Sequence, residues 1–344
     1  MRAGLITGRE RLEFREFPLP EEAPPGAAVV AVGLCGICGA DVVAFKDGEP
    51  YAPVLSGHEY GGTVVSVGEG VTDLAPGDRV VAGVPPACGR CRTCLAGLAH
   101  RCEGIFGSAL GSDPLTPQHG AYAQRVTVRA ARLIRIPESL DFVQAAMVEP
   151  ATVAQHAVNR RPPRIGETVA VLGAGPVGLF AAQWARIAGA RVVVVEPSER
   201  RRKMAQEIGA DEVVEPGADA LAAVRDTTNG LGAAVVYDCA GSRSSLLGSP
   251  ELTRPGGAIM LVGVSHAEVP APLRALLIKE LDLMTSLAHL HHEFGTTIDA
   301  MARGALLAAP LHDLTVTLDE LSGALAELAG GRDRVKVLVD PSGG

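Results

Sequence analysis

The sequence predicts an α/β chain of two domains, one β-rich and one a doubly wound parallel sheet, and three observations carry that prediction. The chain has 344 residues, more than one ordinary core holds at roughly 100–200 residues per domain. Short β-branched runs, residues 27–34 and 62–67 among them, recur with Gly and Pro at their ends to about residue 136, as in an all-β region. From Glu167 the pattern changes to strand, glycine turn, helix.

In chain order, Thr168–Leu172 is apolar, Leu179–Ala188 has helical character and Arg191–Val195 is apolar again, which makes a βαβ unit. Ala233–Tyr237 and Ala258–Val262 read as further strands, separated by helix-like or polar segments, so a parallel sheet is the natural architecture. Arg161-Pro-Pro-Arg164 reads as the domain junction. The tail alternates a helix, Leu318–Leu328, with a strand, Val335–Val339, expected to return to the first domain and complete its sheet.

Composition narrows the function classes. With 47% hydrophobic and 20% charged residues the chain buries a large core and is globular. A net charge of -8 without a basic block argues against nucleic acid as a partner. No 18-residue uncharged apolar stretch is present, and the opening MRAGLITGRERLEF lacks the apolar core of a signal peptide, so no membrane partner is expected and the location is read as cytoplasmic. Only 3% of residues are aromatic, with Phe45, Tyr51 and Phe106 as pocket candidates.

Spacing decides what the cysteines are for. Cys88, Cys91, Cys94 and Cys102 follow one another at intervals of three, three and eight, so tight turns bring the thiolates to one point. Four Cys suit tetrahedral zinc and leave no open position, so this ion would staple a lobe without doing chemistry. A second set differs in kind. Cys38, His58 with Glu59, and Glu149 supply one thiolate, one imidazole and two carboxylates beside glycine or proline turns. Three of these plus water make an open zinc site, able to stabilise charge on a carbonyl or alkoxide oxygen.

Gly173-Ala-Gly175-Pro176-Val177-Gly178 places GxGxxG between a strand and a helix, as pyrophosphate binding at a helix N-terminus requires. Glu196 ends the next strand 18 residues after Gly178, at the distance for gripping the adenosine-ribose hydroxyls, so NAD is favoured over NADP. Ser198 with Arg200, Arg201 and Arg202 is the feature that would instead hold a 2′-phosphate.

These residues together resemble the zinc-dependent medium-chain alcohol dehydrogenases, and among them the sorbitol and threonine dehydrogenase branch. The markers are Gly36-Ile37-Cys38-Gly39-Ala40-Asp41, Gly57-His58-Glu59, the four-Cys lobe, Glu149-Pro150-Ala151, the Gly173 fingerprint and Val335-Lys-Val-Leu-Val339. The resemblance implies a GroES-like β-rich catalytic domain (1–155 and 290–344, zinc lobe at about 86–104) interrupted by a Rossmann domain (156–289). It implies two Zn2+ per chain, the catalytic one held by Cys38, His58 and a glutamate. Either Glu59 or Glu149 fills that place; Glu59 is favoured, with Glu149 close to the zinc water. By the same resemblance Asp41 orients His58, Glu196 and Arg201 flank the adenosine ribose, Val262, Gly263, Val264, Ser286 and Leu287 line the nicotinamide, and Lys336 reaches the pyrophosphate. A homodimer or homotetramer through the Rossmann domain is implied as well.

One departure stands beside the matches. The family moves the alcohol proton through a Ser or Thr two residues after the ligand Cys and a His three residues further; here those positions are Ala40 and Val43, which carry no proton. The expected function is oxidation of a secondary alcohol on a small polar molecule, a polyol, sugar, cyclitol or amino alcohol, to a ketone by hydride transfer, with an atypical proton route. The alternatives are a zinc-dependent reductase of a carbonyl, iminium or activated alkene, and a non-catalytic dinucleotide-binding protein. His119, His156, His266, His289, His291 and His292 are substitutes for the relay, each read first as structural or exposed.

Overall fold

The computed structural model describes residues 1–48, 50–105, 115, 117–264 and 268–343. Two compact units divide the chain: Met1–Glu149 with Leu290–Ala302 and the tail from His312, and Pro150–His289 with Arg303–Leu311. The division falls inside the helix Val148–Arg160, not at Arg161-Pro-Pro-Arg164. Residues 150–155 and 303–311, expected with the first domain, therefore belong to the second. Pro150 does not end this helix because it sits in the first turn, where no intrahelical N–H is needed. Beyond it, Ala151 accepts the Trp184 indole N–H at 2.9 Å, within the second unit.

The first unit opens with an antiparallel ribbon of β1 (Arg2–Gly8) and β2 (Arg11–Glu16). Its main strands are β3 (Ala27–Gly36), β4 (Glu59–Val67), β5 (Arg79–Ala82), β6 (Arg125–Arg129) and β7 (Leu133–Arg135). The β-branched runs at residues 27–34 and 62–67 bury Val30, Val32 and Val64 in one core with Val126 and Val128 of β6 and with Phe45, Tyr60 and Tyr122.

The second unit is a parallel sheet of β8 (Thr168–Leu172), β9 (Arg191–Val195), β10 (Glu212–Val214), β11 (Ala233–Asp238), β12 (Thr253–Leu261) and β13 (Asp282–Thr285). Their order is β10-β9-β8-β11-β12-β13. Near-continuous apolar runs are what a parallel strand buried on both faces needs, and β8 and β11 are buried at every residue. The helix after β8 runs Pro176–Ile187, starting earlier than the periodicity suggests because Gly175 caps it and Pro176 takes its first position.

The tail returns to the first unit. There β14 (His312–Thr317) and β15 (Lys336–Asp340) flank the helix Leu321–Ala329 and complete the order β14-β15-β3-β4-β5-β7, with β6 also on β3. The closing pairs are Leu338 with Gly36 and Val339 with Cys35. Among the described residues no helix is long and apolar enough to cross a membrane.

Candidate active site

Strand register assembles the metal side of the site. Gly36 of β3 stands opposite Glu59 of β4, so the segment leaving β3 and the turn entering β4 share one end of the sheet. Past β3 the chain enters the helix Gly39–Asp47 with Cys38 as its N-cap; Asp41 Oδ2 accepts the Cys38 amide at 2.9 Å. Ahead of β4, the His58 Nδ1–H donates to the Leu55 carbonyl at 2.9 Å. A carbonyl only accepts, so Nδ1 carries a proton, and in the neutral ring Nε2 is the nitrogen with the lone pair that a cation needs. One ligand atom each from Cys38, His58 and Glu59 lie within 4.8 Å of one another. Burial pushes the Cys38 thiol up, and the nearby Glu59 adds to it, so without a cation Cys38 keeps its proton, and a cation bound at the sulfur would displace it. Thiolate, imidazole and carboxylate are a three-donor set that suits open Zn2+.

Glu59 has a second partner that the sequence did not announce. Lys336 Nζ forms an ion pair with Glu59 Oε2 and donates to the Ile37 carbonyl at 3.1 Å; the two side chains are 1% and 2% exposed. Lys336 is therefore turned into the core of the first unit, and the expectation that it reaches a pyrophosphate is corrected. Burial alone would lower its pKa, but Glu59 and Cys38 outweigh that and hold the ammonium above its ordinary range. Gly36 makes the space, since a Cβ there would stand 2.5 Å from Glu59 Oε2 and 2.7 Å from Lys336 Cε. Glu149, in the first turn of its helix, couples electrostatically with His58, Glu59 and Lys336 without joining the group of convergent donors.

Asp41 also differs from its expected role. It does not take the His58 ring, which is held by Leu55; it accepts from the Cys38 amide, from Tyr51 Oη at 3.0 Å and from Tyr122 Oη at 2.8 Å. Tyr122 had no signal in the sequence, because it stands 81 residues from Asp41 and reaches it only through the fold. Of the other pocket candidates Phe45 is core, 2% exposed, and Phe106 lies outside the described residues, as does His266. His119 is buried with Nδ1 at 2.8 Å from the Gly120 carbonyl, a local bond, and His291 Nδ1 lies 3.1 Å from the Val84 carbonyl, 207 residues away in the chain.

The four-Cys lobe converges too. Ligand atoms of Cys88, Cys91, Cys94 and Cys102 lie within 4.8 Å of one another, and all four thiols are free of disulfides. Backbone amides already point at sulfur: Cys91 N–H to Cys88 Sγ at 3.4 Å and Cys88 N–H to Cys102 Sγ at 3.3 Å. The Thr93 hydroxyl and neighbouring amides hold Cys91 down to about 6. Four convergent sulfurs, two of them already facing backbone amides, fit a closed zinc site.

In the second unit the cofactor candidates gather at the carboxyl ends of the parallel strands, where ligands bind in such sheets. Gly173 follows β8 with φ at +91°, and a Cβ on Gly178 would fall 1.9 Å from the Gly173 carbonyl oxygen, so this turn closes only on glycine. Glu196 is 5% exposed; its Oε2 accepts the Ala174 amide at 2.6 Å and its Oε1 the Ser198 amide at 3.0 Å. Arg202 binds Glu215 at 2.7 Å and the Pro197 carbonyl at 2.7 Å, while Ser198 caps the next helix through the Arg201 amide. Asp238, not singled out from the sequence, accepts the Ala240 and Gly241 amides at 3.1 Å. Its own carbonyl takes the Val262 and Gly263 amides at 2.9 Å. An Asp followed by small residues and Gly is the signal that would have found it. Val264 and Leu287 are exposed, and Ser286 has a buried hydroxyl without a hydrogen-bond partner among the described residues.

Comparison with known proteins agrees with this layout. Residues 24–138 match the alcohol dehydrogenase GroES-like domain and residues 176–303 the zinc-binding dehydrogenase family. The chain is 33% identical to 2-dehydro-3-deoxy-L-galactonate 5-dehydrogenase of Pseudoalteromonas atlantica, over 92% of each. It belongs to the zinc-dependent medium-chain alcohol dehydrogenases. Another member, D-xylulose reductase A of Aspergillus oryzae, is 29% identical over 97% of this chain and 95% of its own. Among solved structures, a protein of Sinorhizobium meliloti 1021 described as a zinc-binding dehydrogenase and bound to NADP superposes with TM-score 0.86 at 31% identity, over 99% of each chain. This medium-chain dehydrogenase is thus a zinc-dependent, NAD(P)-dependent oxidoreductase of alcohols, its first unit GroES-like and its second Rossmann-type.

Proposed function

We propose that this dehydrogenase oxidises a secondary alcohol of a small polar molecule, a polyol, sugar, cyclitol or amino alcohol, to the ketone, in the sorbitol and threonine dehydrogenase branch. Its catalytic zinc is held by Cys38, His58 and Glu59, a second zinc by the four-Cys lobe, and NAD is preferred to NADP. The observation that carries the reading is the convergence of Cys38, His58 and Glu59 within 4.8 Å beside a buried lysine. Sugar-acid and pentulose substrates in the names of the relatives support the polar class.

Bound in these sites, zinc would supply Lewis acidity toward an alcohol oxygen and the dinucleotide a hydride acceptor. The chain's own residues do the rest. Glu196 presents a fixed carboxylate, pinned by two backbone amides, which repels a 2′-phosphate and suits free ribose hydroxyls. Arg202 is committed to Glu215 and to carbonyls, which removes one of the arginines that NADP would use. Ala40 and Val43 carry no proton, and Glu149, coupled to His58 and Glu59, is the carboxylate left to hold it. Glu149→Gln is expected to keep zinc content within experimental error of wild type and to lower kcat by about 100-fold; unchanged kcat would remove Glu149 from the proton route.

A homodimer or homotetramer belongs to the same reading. Among the described residues β13 pairs on one side only, with β12, and Leu273, Leu277 and Ile278 on the preceding helix are 70%, 79% and 68% exposed, an apolar edge of the kind that pairs with another copy.

The testing experiment measures zinc per chain and molecular mass by light scattering, then turnover with NAD and NADP on polyols, cyclitols and amino alcohols. Two zincs per chain with faster turnover on NAD are expected. A single zinc, or turnover only in the reductive direction with NADPH, would replace this reading by the reductase alternative.

A further inference from the structure

A phenol has one proton to give and an oxygen that also accepts. In Tyr51 the proton is committed. Asp41 is wholly buried, and as a carboxylate it only accepts, so the 3.0 Å contact runs from Tyr51 O–H to Asp41 Oδ1. The other carboxylate oxygen takes the Cys38 amide at 2.9 Å and the Tyr122 hydroxyl at 2.8 Å. Three donors on one buried anion are what its burial demands. The two tyrosines then part company. Tyr122 is 0% exposed and its hydroxyl is enclosed by protein, with the Gly36 carbonyl 3.5 Å away. Tyr51 is half-buried, and its oxygen accepts no hydrogen bond among the described residues. Donation to a carboxylate polarises that oxygen and strengthens it as an acceptor. It also stands at the metal side, bridged to the Cys38 amide by a single carboxylate. Around the Cys38 helix start, Ala40 and Val43 offer only hydrocarbon.

We infer that Tyr51 is a substrate-recognition residue whose phenolic oxygen accepts a hydrogen bond from a second hydroxyl beside the carbinol being oxidised, giving preference for vicinal diols over simple secondary alcohols. The inference rests on the alcohol-oxidation reading above and narrows its substrate class. No proton changes owner in this role; Tyr51 binds and orients.

The test compares trans-cyclohexane-1,2-diol with cyclohexanol, and butane-2,3-diol with butan-2-ol, on zinc-loaded wild type, Tyr51→Phe and Tyr122→Phe. Wild type is expected to favour each diol in kcat/KM. Tyr51→Phe is expected to reduce the diol-to-monoalcohol ratio by roughly 10- to 100-fold, chiefly through KM. Tyr122→Phe takes a donor from the same carboxylate on its buried side and is expected to move both members of each pair together, leaving the ratio as it was. An unchanged ratio in Tyr51→Phe, or a parallel fall like that of Tyr122→Phe, would overturn the assignment and reduce Tyr51 to a support for Asp41. Calorimetric titration of the same alcohols into the NADH-loaded protein reads the preference without turnover. A diol preference in binding that Tyr51→Phe abolishes supports the inference even if wild type oxidises neither alcohol, a result that would count against the alcohol-oxidation reading alone. Equal binding of diol and monoalcohol by wild type would overturn the inference.

Discussion

Cys38→Ala is expected to take the protein from two bound zincs to one and to lower kcat/KM by about 1000-fold. The size follows from what is lost: a cation at the developing alkoxide is worth several kcal/mol of transition-state charge stabilisation, and about 1.36 kcal/mol is a factor of ten in rate. Selectivity comes from the arrangement of donors. Cys38 is the soft ligand among the three convergent donors, and with it gone His58 and Glu59 are left, one of them already paired with Lys336. The four-Cys lobe shares no ligand with that set, so its zinc stays. The fold should survive, because the Cys38 Sγ accepts from the Ala40 amide at only 3.5 Å, a weak cap, and Asp41 still holds the backbone amide of residue 38. Metal analysis by mass spectrometry and initial rates with NAD check both halves. Retention of two zincs in the variant would remove Cys38 from the ligand set; loss of both would mean that the sites are coupled through folding.

Lys336→Met is expected to destabilise the zinc-free protein by about 3–5 kcal/mol, read as a shift of the chemical unfolding midpoint. Removing one partner of a buried ion pair leaves an uncompensated charge, and here the survivor, Glu59, is 2% exposed with nowhere to reach water. Lys336 also bonds the Ile37 carbonyl, so the variant removes one tie between β15 and the segment leading to Cys38, while the Ile37 amide keeps the Val337 carbonyl at 3.0 Å. Glu59→Gln combined with Lys336→Met removes both charges and is expected to recover most of the loss, as replacing a whole buried pair does elsewhere. If Lys336→Met alone matched wild type, the ammonium would be no part of the site's support. Zinc added back should narrow the gap, since a cation at Glu59 replaces the charge that the lysine supplied.

The first unit's two early strands, the βαβ unit after Thr168 and the returning strand near Val335 were legible because each rests on a local pattern: short β-branched runs, continuous apolar runs, a glycine turn between them. The donors Cys38, His58, Glu59 and the four lobe cysteines were legible as residue types at telling spacings. The glycine fingerprint was legible because Gly178 packs against Gly173 within one turn, a contact five residues long. The domain junction was misread because Pro-Pro marks a break in backbone pairing, whereas the compact units divide inside a helix that tolerates Pro150 in its first turn.

By itself, then, the amino-acid sequence determined the fold class, the two candidate metal-binding sets and the nucleotide loop, because these depend on neighbours along the chain. Tertiary structure alone decided the partners of the buried charges. Lys336 meets Glu59 across 277 residues and Asp41 meets Tyr122 across 81. A lysine between apolar residues of a strand reads equally as a surface charge or a phosphate ligand until the register of β15 on β3 fixes which way it faces. The physical reason is that burial makes an unpaired charge too costly to keep, yet which opposite charge satisfies it depends on how distant strands align, and no local pattern in the chain encodes that alignment.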